Sequence, residues 1–122
     1  MFSIIDLMNI EELREFCLAK PITTEDMPFD ESTLVFKVDG KMFALTSLIE
    51  FKSVNLKCDP DRALELREEH DQINPGFHMN KVHWNTVTID GLKKELLLEL
   101  IDHSYDLVVS KISKKRRGEL GI

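Results

Sequence analysis

The stretch LVFKVDGKMFAL, residues 34–45, decides the fold. Two apolar runs flank Asp39-Gly40, and a two-residue turn of the hairpin type needs positive φ at both central positions, which Asp-Gly supplies. The simplest register from that turn sets Phe36 opposite Phe43 and Leu34 opposite Leu45. Those four side chains then share the face toward the core, with Lys37 and Met42 paired on the other face.

The reading extends outward from this hairpin. Downstream, FKSVNLKC (residues 51–58) predicts a third strand with Val54, Leu56 and Cys58 on one face and Ser53, Asn55 and Lys57 on the other, a period of two that suits a sheet with one wet side. Asp59-Pro60 is a capping carboxylate followed by a proline at the first helical position. It starts a helix to about Asp71 that buries Ala63 and Leu66 and exposes Glu65, Arg67, Glu68 and Glu69. Asn74-Pro75-Gly76 reads as a turn, followed by a short strand near Phe77–Met79 and a longer one near Trp84–Ile89, closed by Asp90-Gly91. A last helix over 93–113 carries Leu97, Leu100, Ile101, Ser104, Tyr105, Val108 and Ile112 as one buried stripe. Upstream, Asn9 and Glu12 form a capping arrangement for a helix over 10–19, which Lys20-Pro21 ends. Residues 21–33 read as a loop with a short edge strand near Met27–Phe29. Together these predict an α+β fold, an antiparallel sheet with helices packed on one face.

At 122 residues, with 43% hydrophobic and 31% charged side chains, the chain suits one globular domain. We read residues 1–8 as an N-terminal extension, 9–117 as the domain and 118–122 as a tail, with Met8 as an alternative start. No apolar run approaches the roughly 20 residues of a membrane helix. The N-terminus lacks the basic region of a signal peptide. Cys17 and Cys58 lie in no metal or redox spacing, which suits free thiols in a reducing cytoplasm.

The net charge of −6 lacks the global basic footprint of most DNA-binding modules. Positive charge is concentrated at the end, where Lys111, Lys114, Lys115, Arg116 and Arg117 stand against the single acid Glu119. That cluster is either a solvated helix end or a phosphate-contacting arm. The densest polar stretch is PGFHMNKVHWNTV (residues 75–87), with His78, Asn80, Lys81, His83, Trp84 and Asn85 close together. It reads either as a structural turn or as a ligand-binding strand edge, with Lys81 as a cation, His83 and Trp84 as stacking groups, and His78, Asn80 and Asn85 as a ligand surface. His78 and His83 do not have metal-ligand spacing. Asp102, His103 and Asp106 read as a surface ion-pair cluster rather than a general-base site, since no nucleophile is placed beside them. The acids Glu11, Glu12, Glu15, Glu25, Asp26, Asp30 and Glu31 read as a solubilising face. No nucleotide-binding loop or nucleophile elbow is present.

The segments LVFKVDGKMFALTSL, VNLKCDP, PGFHMNKVHWNTV and ELIDHSYDLVVSK resemble the MmcQ/YjbR family of small bacterial proteins across residues 8–117. The resemblance implies a CyaY-like α+β fold, shared in outline with frataxin, and DNA binding. It supplies no catalytic residues. The sequence thus leads to a non-enzymatic, monomeric, bacterial cytoplasmic protein without a cofactor or metal, expected to bind DNA or single-stranded nucleic acid weakly and without sequence preference. The alternatives are a small-molecule or protein-interaction domain using the His78–Asn85 surface, or weak iron or divalent-cation binding by fold analogy. Family members often start the last helix with a Ser-x-Pro pattern after Asp-Gly, where this chain has Leu92-Lys93-Lys94.

Overall fold

In the computed structural model, which describes residues 8–122, the Asp39-Gly40 turn forms with φ of 50° and 76°. The expectation for residues 1–7 lies outside the described residues, while Met8 is buried in the core. The elements are α1 (Ile10–Leu18), β1 (Thr23–Asp26), β2 (Thr33–Val38), β3 (Lys41–Ser47), β4 (Ser53–Lys57), α2 (Pro60–Glu69), β5 (Ile73–Pro75), β6 (Trp84–Thr88), α3 (Lys94–Ser110) and α4 (Lys114–Leu120). The six strands form one antiparallel sheet in the order β1-β2-β3-β4-β6-β5. The α+β architecture is the one expected from the hairpin outward.

The hairpin register differs from the simplest one. Val38 pairs with Lys41 and Lys37 with Met42, but a bulge then shifts the ladder so that Phe36 faces Ala44 and Val35 faces Leu45. Phe43 is the extra residue. A bulge lets two successive side chains point the same way, and both Phe43 and Ala44 enter the helix-covered core. Phe36 and Phe43 are fully buried, their ring centroids 6.4 Å apart, and Phe43 meets Tyr105 edge-on at 5.3 Å. The same shift turns Leu45 to the opposite face, where it packs with Val35 and Trp84.

The capping signals held. Asn9 and Glu12 form a reciprocal capping box on α1, and the Asp59 carboxylate accepts from the Arg62 N–H at the start of α2, with Pro60 following it. Lys93 precedes α3 without a side-chain cap, so this helix starts one residue later than expected. The α3 stripe is buried as read, through Ile112 just beyond the helix. Four local expectations are corrected. The edge strand is Thr23–Asp26, not Met27–Phe29. Asn74-Pro75 belong to the edge strand β5, where a proline's missing donor faces no partner. Residues 77–79 form a turn instead of a strand. Lys114–Leu120 is a separate short helix, capped by Ser113 and ended by Gly121 at φ 75°.

Helices α1, α2 and α3 bury the face carrying Leu34, Phe36, Val54, Leu56, Ile73 and Val87. One polar group inside this layer is fully engaged. The Ser104 hydroxyl donates to the Phe43 carbonyl at 2.6 Å and accepts from the Lys57 N–H at 2.9 Å, tying α3 to β3 and β4. The other face carries Thr33, Val35, Leu45, Ser53, Asn55 and Thr86, and no helix among the described residues covers it.

Candidate functional site: the cleft on the open sheet face

A cleft of about 580 Å³ lies on the helix-free face. That falls in the range of roughly 300–1,000 Å³ usual for small-molecule sites. The strands supply its floor through alternate residues: Ser53 and Asn55 from β4, Thr86 from β6, Thr33 from β2 and Leu45 from β3. Phe29, Phe77, His78 and Met79 form its walls. Among the described residues no Lys, Arg, Asp or Glu side chain lines it.

The wall at 76–79 is held by the floor. The Phe77 N–H donates to Thr86 Oγ1 at 2.8 Å, Thr86 Oγ1 donates to Asn55 Oδ1 at 2.6 Å, and Asn55 Nδ2 donates to the Phe77 carbonyl at 3.4 Å. Both main-chain polar groups of Phe77 are therefore satisfied by the sheet, while its ring stays 67% exposed. His78 stacks beside that ring, centroids 4.1 Å apart. Its φ is +61°, a left-handed conformation that costs a non-glycine residue energy. Gly76 is required by close approach, because a Cβ there would lie 2.8 Å from Trp84 Cβ and 3.0 Å from Met79 Cβ.

A second set of bonds fixes the loop from behind. Arg67 was expected to be exposed on α2. It is half-buried, with Nε donating to Asn85 Oδ1 at 2.7 Å and Nη2 to the carbonyls of Lys81 and Trp84. Lys81 Nζ donates to the Gly76 carbonyl at 3.0 Å, and Asn80 Oδ1 accepts from the N–H groups of Val82 and His83.

These contacts place each residue singled out from the sequence. His78 lines the cleft. Asn80 and Asn85 do not, since Asn80 closes the turn and Asn85 is 2% exposed against Arg67. Trp84 is 7% exposed, packed with Val35 and Leu45 and with Lys57 Nζ 5.9 Å above its ring. Its ring offers no free face to a base, which corrects the stacking role given to it. Lys81 is tied to its own loop. His83 lies away from the cleft, beside a hollow of about 130 Å³ shared with Lys57 and Lys111. Arg116 is engaged by Asp39, at 2.9 and 3.2 Å, and by Glu119. The Arg117 Nε is buried without a hydrogen-bond partner among the described residues. Lys111, Lys114 and Lys115 are exposed. The sequence-predicted cations thus do not converge with the His78 surface.

The other titratable groups are structural. His103 Nε2 accepts from the Asp59 N–H at 3.1 Å, and Asp102 pairs with Lys20, so Asp102, His103 and Asp106 do not form one ion-pair cluster. Burial pushes the thiols of Cys17 and Cys58 up to about 12 and about 11, and both are free. In the acidic N-terminal third, Glu12 pairs with Lys94, Glu25 with Arg14, and Asp30 caps Ser32 and Thr33. Among the described residues no group of three or more His, Cys, Asp or Glu side chains is placed to hold a metal ion. No helix among them is long and apolar enough to cross a membrane.

Reading by sequence missed Phe29, Ser53, Asn55, Phe77 and Thr86. The available signal was the wet face of β4, where small hydroxyl and amide groups stand in place of the charged side chains usual on a solvated strand.

Comparison with known proteins places the chain. The YjbR family model matches residues 18–107. A crystal structure of the Deinococcus radiodurans protein DR2400, with domain DUF419, superposes with a TM-score of 0.91 at 44% identity, covering 96% of this chain and 91% of that one. The uncharacterized protein YjbR of Escherichia coli K12 is 35% identical over 112 residues, 90% of this chain and 95% of its own length. The uncharacterized protein YbdF of Escherichia coli O157:H7 is 36% identical over 107 residues, 86% of this chain and 88% of its own length.

Proposed function

The chain belongs to the YjbR family, and on that footing we propose that it is a non-enzymatic binding protein that takes a small molecule in the cleft on the open sheet face. The observation that carries this reading is the pairing of a ligand-sized hollow with a wall fixed from both sides. The Asn55–Thr86–Phe77 bonds hold the wall from within, and Arg67 and Lys81 hold it from behind. A cavity whose walls are already ordered spends little of its binding energy on ordering. The test is a protein-observed NMR screen of a fragment library against wild type and Ser53→Trp, whose indole would fill the floor. Binders that move the amides of Asn55, Phe77 and Thr86 in wild type and not in the variant support the proposal. A library without such binders overturns it.

Nucleic-acid binding is the second reading, favoured by the exposed Lys111, Lys114 and Lys115 at the C-terminal end. With about three phosphates neutralised, log K should fall against log salt with a slope of about −2 to −3 on duplex DNA. Fluorescence anisotropy near 50 mM salt, with wild type and a Lys111→Ala/Lys114→Ala/Lys115→Ala variant, decides it. Equal binding by both, or none by wild type, removes these lysines as a DNA surface.

A further inference from the structure

Resting on the reading of the cleft as a small-molecule site, we infer that its ligand is an uncharged, planar, two-ring heteroaromatic molecule, the chemistry of a free purine base or an indole. Charge is settled by the lining. Among the described residues no Lys, Arg, Asp or Glu side chain lines the cleft and its imidazole, His78, is packed against Phe77, so a charged ligand would leave water without a carboxylate, ammonium or guanidinium to meet it. Cations around this face are occupied elsewhere: Lys57 shares the wet face of β4 but lies over Trp84, Lys37 pairs with Asp26, and Lys81 bonds the Gly76 carbonyl.

Planarity follows from the walls. Phe29 is 62% exposed and Phe77 67%, and both border the same hollow. Exposed rings held at a cavity edge offer flat apolar faces, which aromatic partners meet by stacking or edge-to-face contact. The Phe77 ring is carried on main chain bonded at both its polar groups, with His78 packed against its side. The ring is thus held at the cleft edge by its main-chain bonds and by His78, with much of its surface open to a ligand.

The floor supplies the polar partners. The Ser53 hydroxyl donates no hydrogen bond to the described residues. The Asn55 amide retains one N–H and one acceptor lone pair after its bonds to Phe77 and Thr86. Ser53 and Asn55 are same-face neighbours on β4, about 7 Å apart by strand geometry. A fused two-ring heteroaromatic brings an edge N–H or ring nitrogen to Ser53 or Asn55 and offers the exposed Phe29 and Phe77 rings a larger flat area than a single six-membered ring does.

The experiment is a titration of the isotope-labelled protein, followed by NMR, with five probes: adenine, indole, pyrazine as a single ring, maltose as a neutral non-aromatic, and AMP as an anionic counterpart of adenine. Adenine or indole should move the amides of Ser53, Asn55, Phe77 and His78. Pyrazine and AMP should bind at least tenfold more weakly than the two-ring probe. Phe77→Ala and Ser53→Ala should each weaken that probe about tenfold, and Ser53→Ala breaks no hydrogen bond of the fold, so a loss there is not unfolding. AMP binding as well as adenine, or pyrazine as well as indole, overturns the assigned class. Maltose binding alone at these amides overturns the class and leaves the small-molecule reading standing. Silence at these amides with all five probes overturns the class; if the wider fragment library is silent as well, the small-molecule reading falls with it.

Discussion

The two faces of the sheet are made from the same strands and differ in almost everything else. Along β4 the covered face receives Val54 and Leu56, both buried, while the open face receives Ser53, Asn55 and Lys57, none of them fully buried. Along β6 the covered face has Val87 and the open face Thr86. Apolar side chains under α1, α2 and α3 supply the stability, each worth about 1.5–3 kcal/mol of burial for the larger ones. The open face adds a smaller apolar cluster, Val35, Leu45 and Trp84, and around the cleft is built from hydrogen-bonded small groups that position a loop. The difference teaches that period-two alternation lets one sheet separate the work of holding the fold from the work of presenting a surface.

The sharpest test of that separation uses two phenylalanines. Phe36→Ala, on the covered face, should destabilise by about 3–5 kcal/mol, the usual range for truncating a buried aromatic. Phe77→Ala, on the open face, should change stability by less than about 0.5 kcal/mol, as for most exposed positions. Urea unfolding of the two variants measures both, and comparable losses would break the comparison. Next in size is a polar group inside the covered layer, Ser104, which is fully buried. Ser104→Ala leaves the Lys57 N–H and the Phe43 carbonyl without this partner, and should cost about 1–3 kcal/mol. The same measurement checks it, with Ser53→Ala on the open face as a near-neutral control.

The covered face was largely legible in the sequence and the open face was not, for reasons visible in particular residues. Burial is a non-directional effect, so the spacing of Leu97, Leu100, Ile101, Tyr105 and Val108 is enough to place a helix stripe. Caps are equally local, which is why Asn9, Glu12 and Asp59 read correctly. The β3 bulge was invisible, because Asp39-Gly40 specifies the turn and says nothing about Phe43, the third residue of β3. Its consequence, Leu45 on the open face, was lost with it. The cleft depends on residues distant in the chain, Asn55 on β4 meeting Phe77 and Thr86, and no local pattern encodes that meeting. Arg67 misled for the same reason: a charged residue on a polar helix face reads as solvated until the loop it clamps is placed beside it.

A smaller effect concerns pH and belongs to the covered side, where α3 meets the start of α2. His103 accepts a hydrogen bond from the Asp59 N–H, which requires an unprotonated nitrogen. Burial first, and then Arg62, lower its pKa below the ordinary 6.5, against the opposing pull of Glu99, Asp59 and Asp106. The unfolded chain therefore binds the proton more readily than the folded one. Stability from this group is complete above about pH 6.5 and declines as pH falls through the lowered folded value. The carboxyls of Glu12, Glu25 and Glu99, held below the usual carboxylate range by their hydrogen bonds to Lys94, Arg14 and Arg62, act at lower pH. Thermal unfolding followed from pH 8 to pH 5.5 should show a declining midpoint that flattens in His103→Gln; a wild-type midpoint constant over that range would remove the histidine as its source.

The smallest effect returns to the open face and reverses sign. His78 sits at φ +61°, where a side chain is strained and glycine is not. It donates no side-chain hydrogen bond to the described residues, and its ring contact is with the exposed Phe77. Replacing it with glycine removes the strain of the left-handed backbone and also widens the conformational freedom of the unfolded chain, two effects that oppose one another. The balance should leave His78→Gly within about 1 kcal/mol of wild type, on the stabilised side if the strain is the larger. On the covered face no comparable substitution of a large side chain by glycine would be tolerated. If the cleft is a binding site, the same variant should lose affinity for the two-ring probe, because the side support of Phe77 is gone while the fold is intact. Urea unfolding paired with the NMR titration reads both quantities. A variant that loses several kcal/mol of stability would place His78 among the residues that hold the fold and erase the distinction between the two faces at this corner.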